Sequence, residues 1–159
     1  MEDLSREIGE LLRSNGLTLG TVESATGGLI AYLITAVPGS SDYFKGSITA
    51  YSNETKARLV GVKEESLTKY GAVSRFVAEE MASGGRKVLN VDICLSDTGI
   101  AGPGGTTPEK PVGLFYVGLA DKNGSNSREY HFSGNREEVR RQAAGAVLDW
   151  LKQHLLGLG

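Results

Sequence analysis

The chain has 159 residues, with 17 lysines and arginines against 19 aspartates and glutamates and a formal net charge of −2. No stretch gathers the cations that would neutralise a phosphate backbone, which excludes a general nucleic-acid binder, and no apolar run approaches membrane-spanning length. The single cysteine, Cys94, allows no internal disulfide and fits a reducing compartment. The acidic start Met1-Glu2-Asp3 lacks the basic and apolar segments of a secretory signal, so a cytoplasmic location is expected. The size suits one domain over residues 1–159 with a sizeable core, and a small metabolite is the expected partner.

Helical and strand patterns alternate along the chain. Leu4, Ile8, Leu11 and Leu12 form one face of a first helix that stops at Gly16. Leu19-Gly20-Thr21-Val22 is short and β-prone and leads to Glu23-Ser24-Ala25-Thr26-Gly27-Gly28. A helix over about 26–36 follows, with Thr26 as its expected N-cap, and ends in the turn cluster Pro38-Gly39-Ser40-Ser41. Ser47 to Tyr51 is the next expected strand, after which Ser52 or Asn53 caps a short helix that carries Lys56. Ser74 caps another helix, with Val77, Met81 and Val88 on one side. Val91 to Ser96 is a strand entering the glycine-rich loop Thr98 to Gly105. Val112 to Leu119 and Ser127 to Phe132 form two strands joined through a turn at Asp121-Lys122-Asn123-Gly124. The last helix starts near Asn135, with Glu138 placed as in a capping box, and buries Val139, Ala143, Val147, Trp150 and Leu151. This alternation predicts a three-layer α/β/α sandwich around a mixed, mainly parallel central sheet.

Ser24 falls at a strand-to-helix turn, where a hydroxyl can be presented to a ligand. Gly27 and Gly28 let the backbone approach closely, and free N–H groups at the helix start attract a phosphate or an oxyanion. The glycine-rich loop is the second candidate site, because α/β proteins bind ligands where strand ends open into such loops. It has neither a Walker sequence nor dinucleotide-fingerprint spacing, so taken alone it is equally a structural turn. No histidine, cysteine or carboxylate cluster has metal-ligand spacing, and neither metal nor cofactor is expected.

Six ordered segments are similar to the CinA C-terminal domain, the nicotinamide-nucleotide amidase family. They are Glu23-Ser24-Ala25-Thr26-Gly27-Gly28, Gly39-Ser40-Ser41, Tyr51-Ser52-Asn53-Glu54-Thr55-Lys56, Gly71-Ala72-Val73-Ser74, Gly99-Ile100-Ala101-Gly102-Pro103 and Glu109-Lys110-Pro111-Val112-Gly113. The chain departs at Ala25, where the family has cysteine or a larger apolar residue, a change that touches packing more than chemistry. The amino-terminal domain found in longer members is not expected here, nor is its activity. The resemblance implies hydrolysis of nicotinamide mononucleotide to nicotinate mononucleotide and ammonia by a serine–lysine pair. Position by position, it implies Ser24 as nucleophile, Lys56 as base, and Ser41 and Tyr51 as assisting residues.

The residues themselves leave competing readings beside this one. A serine needs a base to attack an amide, and His131, His154, carboxylates and lysines are the candidates. His131 lies within a strand and His154 at a helix C-terminus, positions that suit structural or solvated roles. Lys56 must then be uncharged near neutral pH against an ordinary pKa of about 10.4, which burial and a helix start both favour. Glu23 and Glu54 oppose this if they touch it, and a lysine near a helix start is otherwise a solvated surface charge. Ser52 competes as nucleophile but is also a cap, Ser40 and Ser41 can simply make a turn, and Tyr51 can be a core-edge aromatic.

The substrate is expected to contact Thr26, Gly27, Gly28 and Asn53, together with Gly99, Gly102, Gly104 and Gly105. Arg136, Arg140 and Arg141 are the candidate phosphate partners; Arg140 and Arg141 face different ways on one helix, so at most one of those two turns inward. Cys94, in an apolar strand, is expected to be inert packing. Two other functions stay open: a non-catalytic nucleotide-binding or regulatory module tied to competence and DNA damage, and an amidase for another carboxamide. Association with further copies of the chain is left open as well.

Overall fold

The computed structural model describes residues 1–159. Helix α1 (Glu2–Asn15) ends on Gly16 and is followed by strand β1 (Leu19–Glu23) and helix α2 (Leu29–Thr35). A single 3₁₀ turn, Ser40–Asp42, precedes β2 (Phe44–Thr49). Helices α3 (Asn53–Val60), α4 (Glu64–Tyr70) and α5 (Arg75–Leu89) then run to β3 (Ile93–Gly99). The hairpin β4 (Leu114–Asp121) and β5 (Gly124–His131) leads into α6 (Arg136–Leu155).

The sheet order is β2-β1-β3-β4-β5. β2, β1 and β3 pair in parallel, whereas β3–β4 and β4–β5 are antiparallel, so only β4 runs against the other four strands. Helices α1, α2 and α6 cover one face of the sheet, where Leu19, Ile93, Leu95, Val117 and Leu119 meet Ile8, Leu12, Ile30, Val147 and Leu151. The other face carries α5 with α3 and α4 outside it, packed through Val22, Cys94, Val60, Val77 and Met81. The expected three layers and mixed sheet are therefore present.

Several bounds differ from the sequence expectation, each for a tertiary reason. α2 begins at Leu29, not at residue 26, because the Thr26 side chain turns down into the protein and Gly28, at φ 102°, takes the N-cap position without a side-chain cap. β2 begins at Phe44 because its ladder with β1 starts there, and Ala50 and Tyr51 leave the strand to reach α3. β3 continues to Gly99 because pairing with β4 extends to Gly99 opposite Phe115. The seven-residue α4 has too short an apolar pattern to stand out in the sequence. The caps at Ser52, Ser74 and Asn135 are as expected, the last with a reciprocal bond from Glu138.

The helix that carries Lys56 is held in place by a backbone contact. Gly84 of α5 lies so close to the end of α3 that a Cβ there would meet the Val60 carbonyl oxygen at 1.7 Å. Gly84→Ala gains about 1 kcal/mol of helix propensity, but overpacking against a backbone group costs about 1–3 kcal/mol or more. A net loss of stability is expected in denaturant unfolding, and an unchanged midpoint would show that α3 is free to move.

Candidate active site

Ser24 lies one residue beyond β1, where the chain leaves the C-terminal edge of the parallel strands. Its backbone N–H donates to Asp97 Oδ1 at 3.1 Å, and Thr26 N–H donates to Asp97 Oδ2 at 3.1 Å. Asp97, on β3, thereby clamps both sides of Ala25. On the opposite side Arg140 of α6 donates from Nε to the Ala25 carbonyl at 3.0 Å and from Nη2 to the Thr26 carbonyl at 2.9 Å. Gly27 is needed in this turn twice over: its φ is +60°, and a Cβ would come within 2.7 Å of the Arg140 guanidinium.

Lys56 reaches this turn from α3. Its Nζ lies 2.9 Å from Ser24 Oγ and donates to the Tyr51 carbonyl at 2.9 Å. Ser24 is 7% exposed and Lys56 only 2%, so the solvated-surface alternative for this lysine does not hold. Burial lowers the Lys56 pKa below its usual value, opposed by the charge of Asp97. Glu54 pairs with Arg58, and Glu23 lies under α2, so neither forms an ion pair with the amine.

The pair opens into a cleft of about 450 Å³ walled by Tyr51, Asn53, Ala72, Val73 and the loop from Thr98 to Gly105. Gly99, Gly102, Gly104 and Gly105 line this cleft, and Asn53 borders it at the start of α3. Tyr51 stands at the mouth, 59% exposed, and its Oη accepts from Arg136 Nη2 at 3.1 Å. Arg136 also donates to the Gly102 carbonyl at 2.8 Å and is the one arginine in the cleft. Ala101, Gly102, Gly104 and Gly105 leave their backbone N–H groups without a partner in the chain, as does Ala25 beside the nucleophile. Such donors suit an anion or a developing oxyanion.

Other expected residues are placed elsewhere. The Thr26 hydroxyl contacts Glu23 and Asp97 instead of capping α2. The N–H groups at the start of α2 are taken as well: Gly28, Ile30 and Ala31 donate to the Glu23 carboxylate, so Thr26, Gly27 and Gly28 shape the turn from within and offer no anion site. Arg140 is spent on the same turn, and Arg141, a helical step away, pairs with Glu137 in solvent. Ser41 precedes β2, which runs parallel to β1, and so sits at the opposite edge of the sheet, roughly 16 Å of strand from Ser24 at about 3.3 Å per residue. Ser52 caps α3 through Thr55 N–H. His131 pairs with Glu129 and His154 with Asp121, both away from the cleft. Burial pushes the Cys94 thiol up to about 12, which leaves it inert.

Asp97 is the residue the sequence analysis missed. It is fully buried, and burial pushes its carboxyl from the ordinary 3.8 to about 6, with bonds from Thr26 and Ser24 opposing and the charge of Glu23 adding. The available signal was an acid set in the polar triplet Ser96-Asp97-Thr98 at the end of an otherwise apolar strand.

The description "CinA C-terminal domain" matches residues 1–155. The chain belongs to this family. It is 46% identical over 155 residues to a CinA-like protein of Geobacter metallireducens and 52% identical over 144 residues to one of Syntrophomonas wolfei. These matches cover 98% and 91% of the chain but 38% and 35% of the relatives, so it spans little more than a third of their length. Among solved structures, the competence/damage inducible protein CihA of Agrobacterium tumefaciens superposes with a TM-score of 0.92 at 38% identity, covering 94% of this chain and 92% of that one. A CinA superfamily protein of Klebsiella pneumoniae gives 0.95 at 26% identity, with 98% of each chain covered.

The buried lysine has a consequence for stability. Its folded-state pKa lies below its unfolded value of about 10.5, so stability is lost as pH falls from about 10.5 toward the lowered folded-state pKa. Lys56→Met lacks this loss. The variant is expected to melt higher than the natural protein at pH 7 in thermal unfolding, with the gap closing as pH rises; a gap that widens instead would contradict the burial argument.

Proposed function

We propose that the chain is an amidase that hydrolyses the carboxamide of nicotinamide mononucleotide to nicotinate mononucleotide and ammonia through a covalent intermediate on Ser24. The observation that carries this is the 2.9 Å contact between Ser24 Oγ and an almost fully buried Lys56 Nζ that has no counter-ion. An uncharged amine in that position takes the hydroxyl proton as Oγ attacks the carboxamide carbon. The oxygen that becomes negative faces the free Ala25 N–H, and the Lys56 ammonium gives its proton to the carboxamide nitrogen, which leaves as ammonia when the C–N bond breaks. Water then enters and gives a proton to Lys56 as its oxygen attacks the acyl carbon, and the ammonium passes that proton to Ser24 Oγ as the C–Oγ bond breaks and the acid leaves.

The cleft accounts for the choice of a nucleotide. Its volume lies within the range of about 300–1,000 Å³ usual for small-molecule sites. Arg136 and the free N–H groups of the glycine-rich loop form a cradle for the 5′-phosphate, and the exposed ring of Tyr51 offers a π-face to the pyridinium. Binding energy gathered at the phosphate holds the carboxamide against Ser24.

The test is ammonia release from nicotinamide mononucleotide, its riboside, nicotinamide and glutamine, each offered to the natural protein, Ser24→Ala and Arg136→Ala. Ser24→Ala is expected to lose about a thousandfold or more of turnover. Arg136→Ala is expected to lose kcat/KM for the mononucleotide by about 10–100-fold while changing the riboside little, since a charge-assisted bond is worth about 1.5–3 kcal/mol. Equal use of mononucleotide and riboside by the natural protein would remove the phosphate cradle, and no release from any carboxamide would favour a binding module.

A further inference from the structure

The hydroxyl of Thr26 has one proton and two acid neighbours. Its oxygen lies 2.7 Å from Glu23 Oε1 and 2.5 Å from Asp97 Oδ1, and all three residues have no solvent exposure. One proton cannot serve two carboxylate oxygens, and with both acids ionised one contact would press lone pair against lone pair without water to separate them. A further proton on one acid removes the conflict. Glu23 is the poorer place for it, because Oε1 already accepts from Gly28 and Ile30 N–H and Oε2 from Ala31 N–H and Thr21 Oγ1. Asp97 has only the two backbone N–H groups of Ser24 and Thr26 beside the shared hydroxyl.

We propose that Asp97 is a positioning residue that retains a proton at neutral pH, donates it to Thr26, and so lets Thr26 donate its own to Glu23. This rests on the Ser24–Lys56 hydrolysis proposed above, and it gives the reason that the lysine is a base. Asp97 and Lys56 can hold one proton between them in two ways. With the proton on Asp97, Lys56 is an amine facing a neutral acid; with the proton on Lys56, the site holds an ion pair and the ammonium cannot accept from Ser24.

The surroundings favour the first arrangement. Lys56 Nζ contacts Ser24 Oγ and the Tyr51 carbonyl and takes part in no ion pair. The charged groups around Asp97 are Glu23 from β1, Lys56 from α3 and Arg140 from α6, and the Arg140 guanidinium is bonded to the Ala25 and Thr26 carbonyls; Asp97's partner on β4 is the uncharged Val117. Burial raises the affinity of Asp97 for its proton, to about 6, against the bonds that it accepts from Thr26 and Ser24 and with the charge of Glu23 adding to it; a Thr26 hydroxyl that donates to Glu23 and accepts from Asp97 removes the largest of those opposing bonds and takes the carboxyl further up, into the neutral range.

The test is an NMR titration of the full chain, isotopically labelled at aspartate Cγ and lysine Cε, with signals assigned by their loss in Asp97→Asn and Lys56→Met. The expected result is an Asp97 that keeps the shift of a carboxylic acid at neutral pH and a Lys56 that loses its proton first. An ionised Asp97 opposite a cationic Lys56 at neutral pH overturns the proposal. In Glu23→Gln, Asp97 loses the charge that holds its proton, so the acid limb of the rate-against-pH curve should move up by about one unit. Loss of a merely nearby negative charge would move it down, and that direction also overturns the proposal. If Glu23→Gln does not fold, Thr26→Val should move the limb upward and Thr26→Ser restore it; an unmoved limb in Thr26→Val counts against the proposal. Retention of the proton by a protein that releases no ammonia supports this inference and overturns the hydrolase instead.

Discussion

Removing the Lys56 amine from water without giving it a counter-ion is the constraint on which the site depends. A buried ammonium lacking a carboxylate partner is costly, and the protein meets that cost by favouring the uncharged amine, the form that can take a proton from Ser24. The carbonyl of Tyr51 accepts from the same nitrogen and so helps to hold it within 2.9 Å of Ser24 Oγ. Burial thus acts on the charge of this group and the Tyr51 carbonyl on its position.

The rest of the fold holds the serine still opposite that lysine. The turn after β1 is gripped by Asp97 through its N–H groups and by Arg140 through its carbonyls, while Glu23 ties it to the start of α2. These three side chains come from β3, α6 and β1, so the sheet and one helical layer converge on a handful of backbone atoms. α3 is fixed independently by its contact with Gly84 of α5. Two rigid mounts, one for each partner, keep a short contact between side chains that start 32 residues apart in the chain.

Local chemistry explains what was legible in the sequence. Ser52, Ser74 and Asn135 cap helices because a short polar side chain meets the N–H two or three residues on, and no distant residue is needed for that. Ser24 and the loop glycines stand out at the ends of predicted strands, Tyr51 and Lys56 gain site roles through the resemblance to a family, and the structure brings all of them to one cleft. Ser41 failed because a parallel crossover carries the chain back to the far edge of the sheet, a distance that motif order does not encode. Of the candidate arginines only Arg136 reaches the glycine loop, while Arg140, four residues further along α6, reaches the serine turn. Asp97 stayed hidden because a single acid in a strand gains meaning only from the strand beside it.

The central claim, a serine made nucleophilic by an uncharged lysine, is tested most directly by trapping the intermediate. The protein is mixed with nicotinamide mononucleotide, quenched in acid at successive times within one turnover, digested and weighed by mass spectrometry. The account expects a transient nicotinate mononucleotide acyl group on the peptide that contains Ser24, appearing together with the first ammonia and vanishing as nicotinate mononucleotide forms. A full turnover of ammonia with no mass gain on Ser24 at any time, or with the gain on another residue, would contradict it.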